Sequence, residues 1–171
     1  MLKKYQKAKT TLLVFLLAFA LLLSAFAGVQ FVAKVSAAGY NEAVGNLGDV
    51  NYVVRFPDPW NGMLVILCQS AASSPALDAR TTFYNSTASP LLAKGYAVAA
   101  SNYGGASGFP VSKALNSTYT VTNYIVDTYR ITGKVFLYGS VMGANFALLL
   151  GEKYPNLYSG VLDVGGNLDA K

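Results

Sequence analysis

Histidine is absent from this chain, and cysteine occurs once, at Cys68. Without histidine no imidazole can shuttle a proton near neutral pH, and the commonest nitrogen ligand for zinc is missing. One cysteine excludes an internal disulfide. It lies in the apolar run Met63-Leu64-Val65-Ile66-Leu67-Cys68, where a small buried thiol is the expected state. No metal or cofactor site is indicated. Charge is also scarce, at 12% of residues, and none of the eight acids precedes Glu42. Five of the thirteen cations are Lys3, Lys4, Lys7, Lys9 and Lys34. The other eight balance the acids, so the net charge of +5 belongs to the first segment and the body from Ala38 is neutral. A neutral body argues against nucleic acid as a partner, because a binding face needs clustered lysine and arginine. No internal repeat or low-complexity tract is present.

The N-terminus has what the body lacks. MLKKYQKAKT is basic, TLLVFLLAFALLLSAFAGV is almost unbroken apolar sequence, and small residues follow at Ala25-Phe26-Ala27 and Val35-Ser36-Ala37. That order is the pattern of a secretory signal peptide. The run over residues 11–33 is equally long enough to anchor the chain, since roughly 20 residues cross a bilayer. Both readings divide the chain into a leader, 1–37, and a body, 38–171. Both place the body outside the cytoplasmic membrane, secreted or anchored on its outer side, because lysines stay inside.

Within the body, periodicity predicts strands over Asp49–Phe56, Met63–Cys68, Tyr96–Ala100, Lys134–Tyr138 and Tyr158–Val164. Helices are expected within 78–94, closing at Gly95, over Thr118–Arg130 with Asn116 or Ser117 as cap and Gly133 as stop, and over Gly143–Tyr154, ended by Pro155. Ala144, Ala147, Leu148 and Gly151 would form a face for close packing. Residues 101–117 read as a long Gly- and Ser-rich loop. Gly104-Gly105-Ala106-Ser107-Gly108 lacks phosphate-loop spacing and reads as a flexible rim. Asn85-Ser86-Thr87 and Asn116-Ser117-Thr118 match a glycosylation pattern, with chance occurrence the default. Alternating strands and helices imply an α/β fold, a mostly parallel sheet with helices on both faces.

The stretch Gly139-Ser140-Val141-Met142-Gly143 lies between a strand and a helix. Gly-x-Ser-x-Gly in that setting is the nucleophile elbow of serine hydrolases. With FPDPWNGMLVILCQS, LLAKGYAVAASNYG, TGKVFLYGSVMGANFALLLGEKYP and NLYSGVLDVGG, it makes the chain resemble the α/β-hydrolase superfamily, esterase and prolyl-oligopeptidase-like members, over nearly all of residues 49–166. The resemblance implies acyl transfer on an ester or peptide bond and no cofactor. It also implies an oxyanion hole from backbone near Gln69 and Met142. It puts the nucleophile at position 141, because Gly139 and Gly143 supply the small residues an elbow needs on either side. Tyr138 and Met142 would flank Ser140 less well.

That position holds Val141. Valine cannot attack a carbonyl, Ser140 is a poor substitute, and β-branching should make the turn relax from an elbow's positive φ. The family's acid and histidine would lie beyond the strand at Tyr158–Val164, and Asp163 and Asp169 read as strand and loop carboxylates. The expectation is therefore a fold truncated after that strand and inactive as this chain. Three readings stay open: a hydrolase fragment, a non-catalytic exported binding or scaffold protein with a small ester or peptide ligand, and half of a split enzyme. The strand over 158–164 would form an open edge suited to self-association.

Overall fold

The computed structural model describes residues 35–37, 39–70, 85–106 and 108–166, with no account of side chains at 35–37, 85 and 86. All described residues belong to one compact unit, Val32–Lys171. The apolar run over residues 11–33 lies outside the described residues, as does Asp169. Among the described residues no helix is long and apolar enough to cross a membrane.

Among the described residues seven strands form one sheet in the order β1-β2-β3-β5-β4-β6-β7. They are β1 (Val35–Ala37), β2 (Tyr40–Leu47), β3 (Val50–Pro57), β4 (Leu64–Cys68), β5 (Ala97–Ser101), β6 (Val135–Ser140) and β7 (Gly160–Val164). β5, β4, β6 and β7 are mutually parallel, and β1, β2 and β3 join as antiparallel neighbours. Because β2 and β3 each reverse direction, β2 runs with the parallel group and the sheet is mostly parallel.

Side-chain alternation assigns the two faces. Leu64, Ile66, Cys68, Ala97, Ala99 and Leu137 pack under helices α2 (Val111–Thr128) and α3 (Met142–Lys153). Val65, Leu67, Val98 and Ala100 face the other way, toward Ala88, Leu91 and Leu92 of helix α1 (Asn85–Ala93). All five residues of β4 are buried, as a central strand covered on both faces requires. Burying each of these aliphatic side chains contributes about 1.5–3 kcal/mol.

Three local expectations are corrected. β1 and β2 had no sequence signal. Gly45 sits inside β2 opposite Tyr52, whose ring a Cβ there would strike, and buried Glu42 pairs with Arg55 at 2.8 Å. Helix α2 begins at Val111, not Thr118, with Pro110 as its cap and no side-chain capping bond. Its buried face hid behind the hydroxyl residues Ser117, Thr118 and Thr122; Thr122 Oγ1 donates to the Thr118 carbonyl at 2.7 Å and accepts from the Tyr158 hydroxyl at 3.1 Å. The Asn116 sequon therefore lies inside this helix, with Ser117 and Thr118 buried. Helix α2 ends at Thr128, and Gly133 instead packs against the Gly62 carbonyl.

Candidate active site at the β6–α3 turn

The parallel strands end together where Gln69 follows β4, Asn102 follows β5 and Val141 follows β6. From β4 the chain crosses to β5 on one side, and β6 lies on the other side. A crevice at such a switch point is where open α/β sheets bind ligands.

Val141 occupies the tip of the turn. Its backbone has φ +52° and ψ −118°, and its side chain is 64% exposed. A β-branched residue at positive φ is a backbone outlier, costing of order 1–3 kcal/mol. The turn has not relaxed as the valine predicted. Three contacts hold it. The Val141 N–H donates to the Val164 carbonyl of β7 at 2.9 Å, and the Val141 carbonyl accepts from the Ala144 N–H at 3.2 Å. Gly139 and Gly143 leave no room on either side: a Cβ on the first would collide with the Gly143 carbonyl, and a Cβ on the second with the Cys68 carbonyl and Gln69.

Ser140 is the last residue of β6, paired in register with Val164. Its carbonyl accepts from Ser70 Oγ at 2.8 Å. The strand, not the tip, determines its direction. Met142 opens α3, and the first N–H groups of a helix find no acceptor within it and sit at the positive end of the dipole. Gln69 is 5% exposed, lies against Gly143, and its carbonyl accepts from the Tyr103 hydroxyl at 3.2 Å. The structure thus gathers Gly139, Ser140, Val141, Met142, Gly143 and Gln69 at one place. Asp163 lies opposite Gly139 on β7, where its Oδ1 accepts the Gly166 N–H at 2.7 Å and closes the turn after that strand.

Sequence reasoning missed an aromatic wall beside the turn. Tyr103, in a 3-10 turn over Tyr103–Gly105, is fully buried at φ +54° and meets Phe146 of α3 edge-on at 5.6 Å. Phe109 stacks on the same ring at 5.2 Å and is half exposed. A tyrosine and a phenylalanine inside a Gly/Ser-rich loop were the available signal. Burial pushes the Tyr103 hydroxyl well above its ordinary range and the Cys68 thiol up to about 12. Cys68 is therefore a protonated, unreactive core group.

The backbone agrees with solved hydrolases. It matches a dienelactone hydrolase from Anabaena variabilis at a TM-score of 0.55 and 15% identity, over 81% of this chain and 63% of that one. The fold is α/β-hydrolase-like. It also matches a fungal esterase from Rhizomucor miehei (TM-score 0.56, 15% identity, 86% of this chain and 48% of that one). A third match is an α/β serine hydrolase without a lid from Xanthomonas campestris (TM-score 0.59, 13% identity, 80% and 66%). The chain thus spans about half to two thirds of the length of these proteins. No protein-family model and no curated protein matches its sequence.

Proposed function

We propose that the β6–α3 turn is a nucleophile elbow whose nucleophile position is filled by Val141, so that the chain keeps a serine-hydrolase frame without the acyl-transfer chemistry. One observation carries this reading. Val141 stands at the tip of a strand–turn–helix at φ +52°, exposed, in the place and conformation an elbow gives its serine. An alkyl side chain there has no lone pair to form an acyl intermediate. The Met142 N–H at the start of α3 supplies a hydrogen-bond donor for a carbonyl oxygen, and Phe109 offers apolar surface on the same side of the helix. Together these favour reversible binding of a small ester or peptide-like ligand. The lysine-rich start and the apolar run over residues 11–33 support export of the body or its anchoring on the outer side of the membrane.

The test is chemical. The purified chain is exposed to a fluorophosphonate probe and to p-nitrophenyl acetate, with a Ser140→Ala variant in parallel. The expected outcome is no serine labelling and no hydrolysis above buffer in either protein. Labelling that disappears with Ser140→Ala would identify Ser140 as a working nucleophile and end this reading.

A further inference from the structure

A second site lies at the opposite end of the sheet. A cavity of about 780 Å³ opens where β2 begins, β3 ends and β5 begins, among Gly39–Tyr40, Pro57–Asn61 and Ser89–Gly95. That volume is well within the roughly 300–1,000 Å³ of small-molecule sites. Its walls come from segments far apart in the chain, and hydrogen bonds tie them together. Asp58 N–H donates to the Gly39 carbonyl at 3.1 Å, and Asn61 N–H to the Gly95 carbonyl at 2.8 Å. The Asn61 side chain donates to the Lys94 carbonyl at 3.3 Å and accepts from Met63 N–H at 2.9 Å. Trp60 Nε1 donates to the Met63 carbonyl at 2.9 Å. The amide and indole groups are thus consumed in building the wall, and the cavity is formed before any ligand arrives.

Two charges are left over. Among the described residues, neither the Asp58 carboxylate nor the Lys94 ammonium forms a hydrogen bond or ion pair. They line one cavity from different segments, and no ion pair joins them. Tyr40, Trp60, Pro57 and Leu92 supply apolar surface around them. A separated anion and cation with apolar surface between them complement a ligand that carries both charges on an apolar body. The volume exceeds what one amino acid fills. We propose that this cavity binds a short zwitterionic peptide of two or three residues, its ammonium toward Asp58 and its carboxylate toward Lys94. Because both protein charges face water, each adds modestly to affinity, and salt weakens binding.

Trp60 is the only tryptophan in the chain, so its emission reports on this site alone. The full chain in detergent micelles is titrated with leucyl-leucine. The expected result is a saturable change in emission, weakened about fivefold by Asp58→Asn and by Lys94→Gln, each worth under ~1 kcal/mol as an exposed pair. N-acetyl-leucyl-leucinamide, which lacks both charges, is expected to bind weakest. Circular dichroism checks that both variants stay folded. Three results would each overturn the proposal: no saturable change into the millimolar range, equal binding of the blocked peptide, or unchanged titrations with both variants.

Discussion

Val141 carries the clearest cost at the scale of one residue. Its positive φ costs of order 1–3 kcal/mol, against which glycine loses about 0.5–1 kcal/mol in unfolded-chain entropy. Val141→Gly should therefore stabilise the body by about 1 kcal/mol, raising the melting temperature by about 3 °C in a thermal scan. An unchanged or lower melting temperature would mean that the valine methyls gain as much from contacts as the backbone loses. Cys68 gives a second prediction at this scale. Burial raises its thiol from 9.0 to about 12, so the folded state holds the proton more tightly than the unfolded one. That contribution is fully present below pH 9.0 and is lost as pH rises toward about 12, at about 1.4 kcal/mol per pH unit. Burial also raises the Tyr103 and Tyr158 hydroxyls, which adds to the loss. Urea midpoints should fall steadily from pH 9 upward, and Cys68→Ala should make the first part of that fall shallower.

At the scale of elements, the junction between α3 and the strands beneath it is the tightest packing near the site. Gly143 rests its α-carbon against the end of β4, and Gly151 of the same helix rests on Val161 of β7. A methyl group at 143 has nowhere to go, because the obstruction is the Cys68 backbone rather than a movable side chain. Gly143→Ala should destabilise by about 3 kcal/mol, at the upper end for overpacking, measured by urea denaturation. Gly151→Ala meets only a valine methyl, which can shift. Its cost should be about 1 kcal/mol or less, with helix propensity repaying part of it. If both cost the same, the seat of α3 is not where the backbone contact places it. The glycine spacing that marks this turn in the sequence is thus the record of a backbone-to-backbone contact.

At the scale of the whole molecule, β7 ends the sheet among the described residues. Leu162 and Val164 point to the face that carries α1, and both are exposed, Leu162 at 57%. An apolar edge strand with free backbone groups is a template for pairing with another chain. Leu162→Lys should reduce association of the purified chain, read by sedimentation, with little change in melting temperature; an unchanged distribution would remove β7 from the interface. The same view shows what was legible. The four parallel strands were readable because each is a short, largely apolar run, with β4 and β5 buried on both faces, and helices on both faces followed from their alternation with helical periods. β3 was also legible, but β1, β2 and their pairing onto it were not, since Asn41, Glu42 and Gly45 break the pattern. Their reasons for being there are partners across the sheet, Arg55 for Glu42 and Tyr52 for Gly45.

The sequence by itself determined the basic, apolar character of the first segment and the neutral charge of the rest, the α/β class, the position of the turn at residues 139–143, and the valine at its centre. These are properties of residue type and spacing, which act within a few turns of the chain. Only the tertiary structure decided that Val141 keeps a positive φ, because β4 and β7 impose it through Gly143 and the Val164 carbonyl. Only the tertiary structure brought Tyr103 and Phe109 beside that turn, and Asp58 and Lys94 into one cavity. Those outcomes depend on contacts between segments tens of residues apart, and no local pattern carries them.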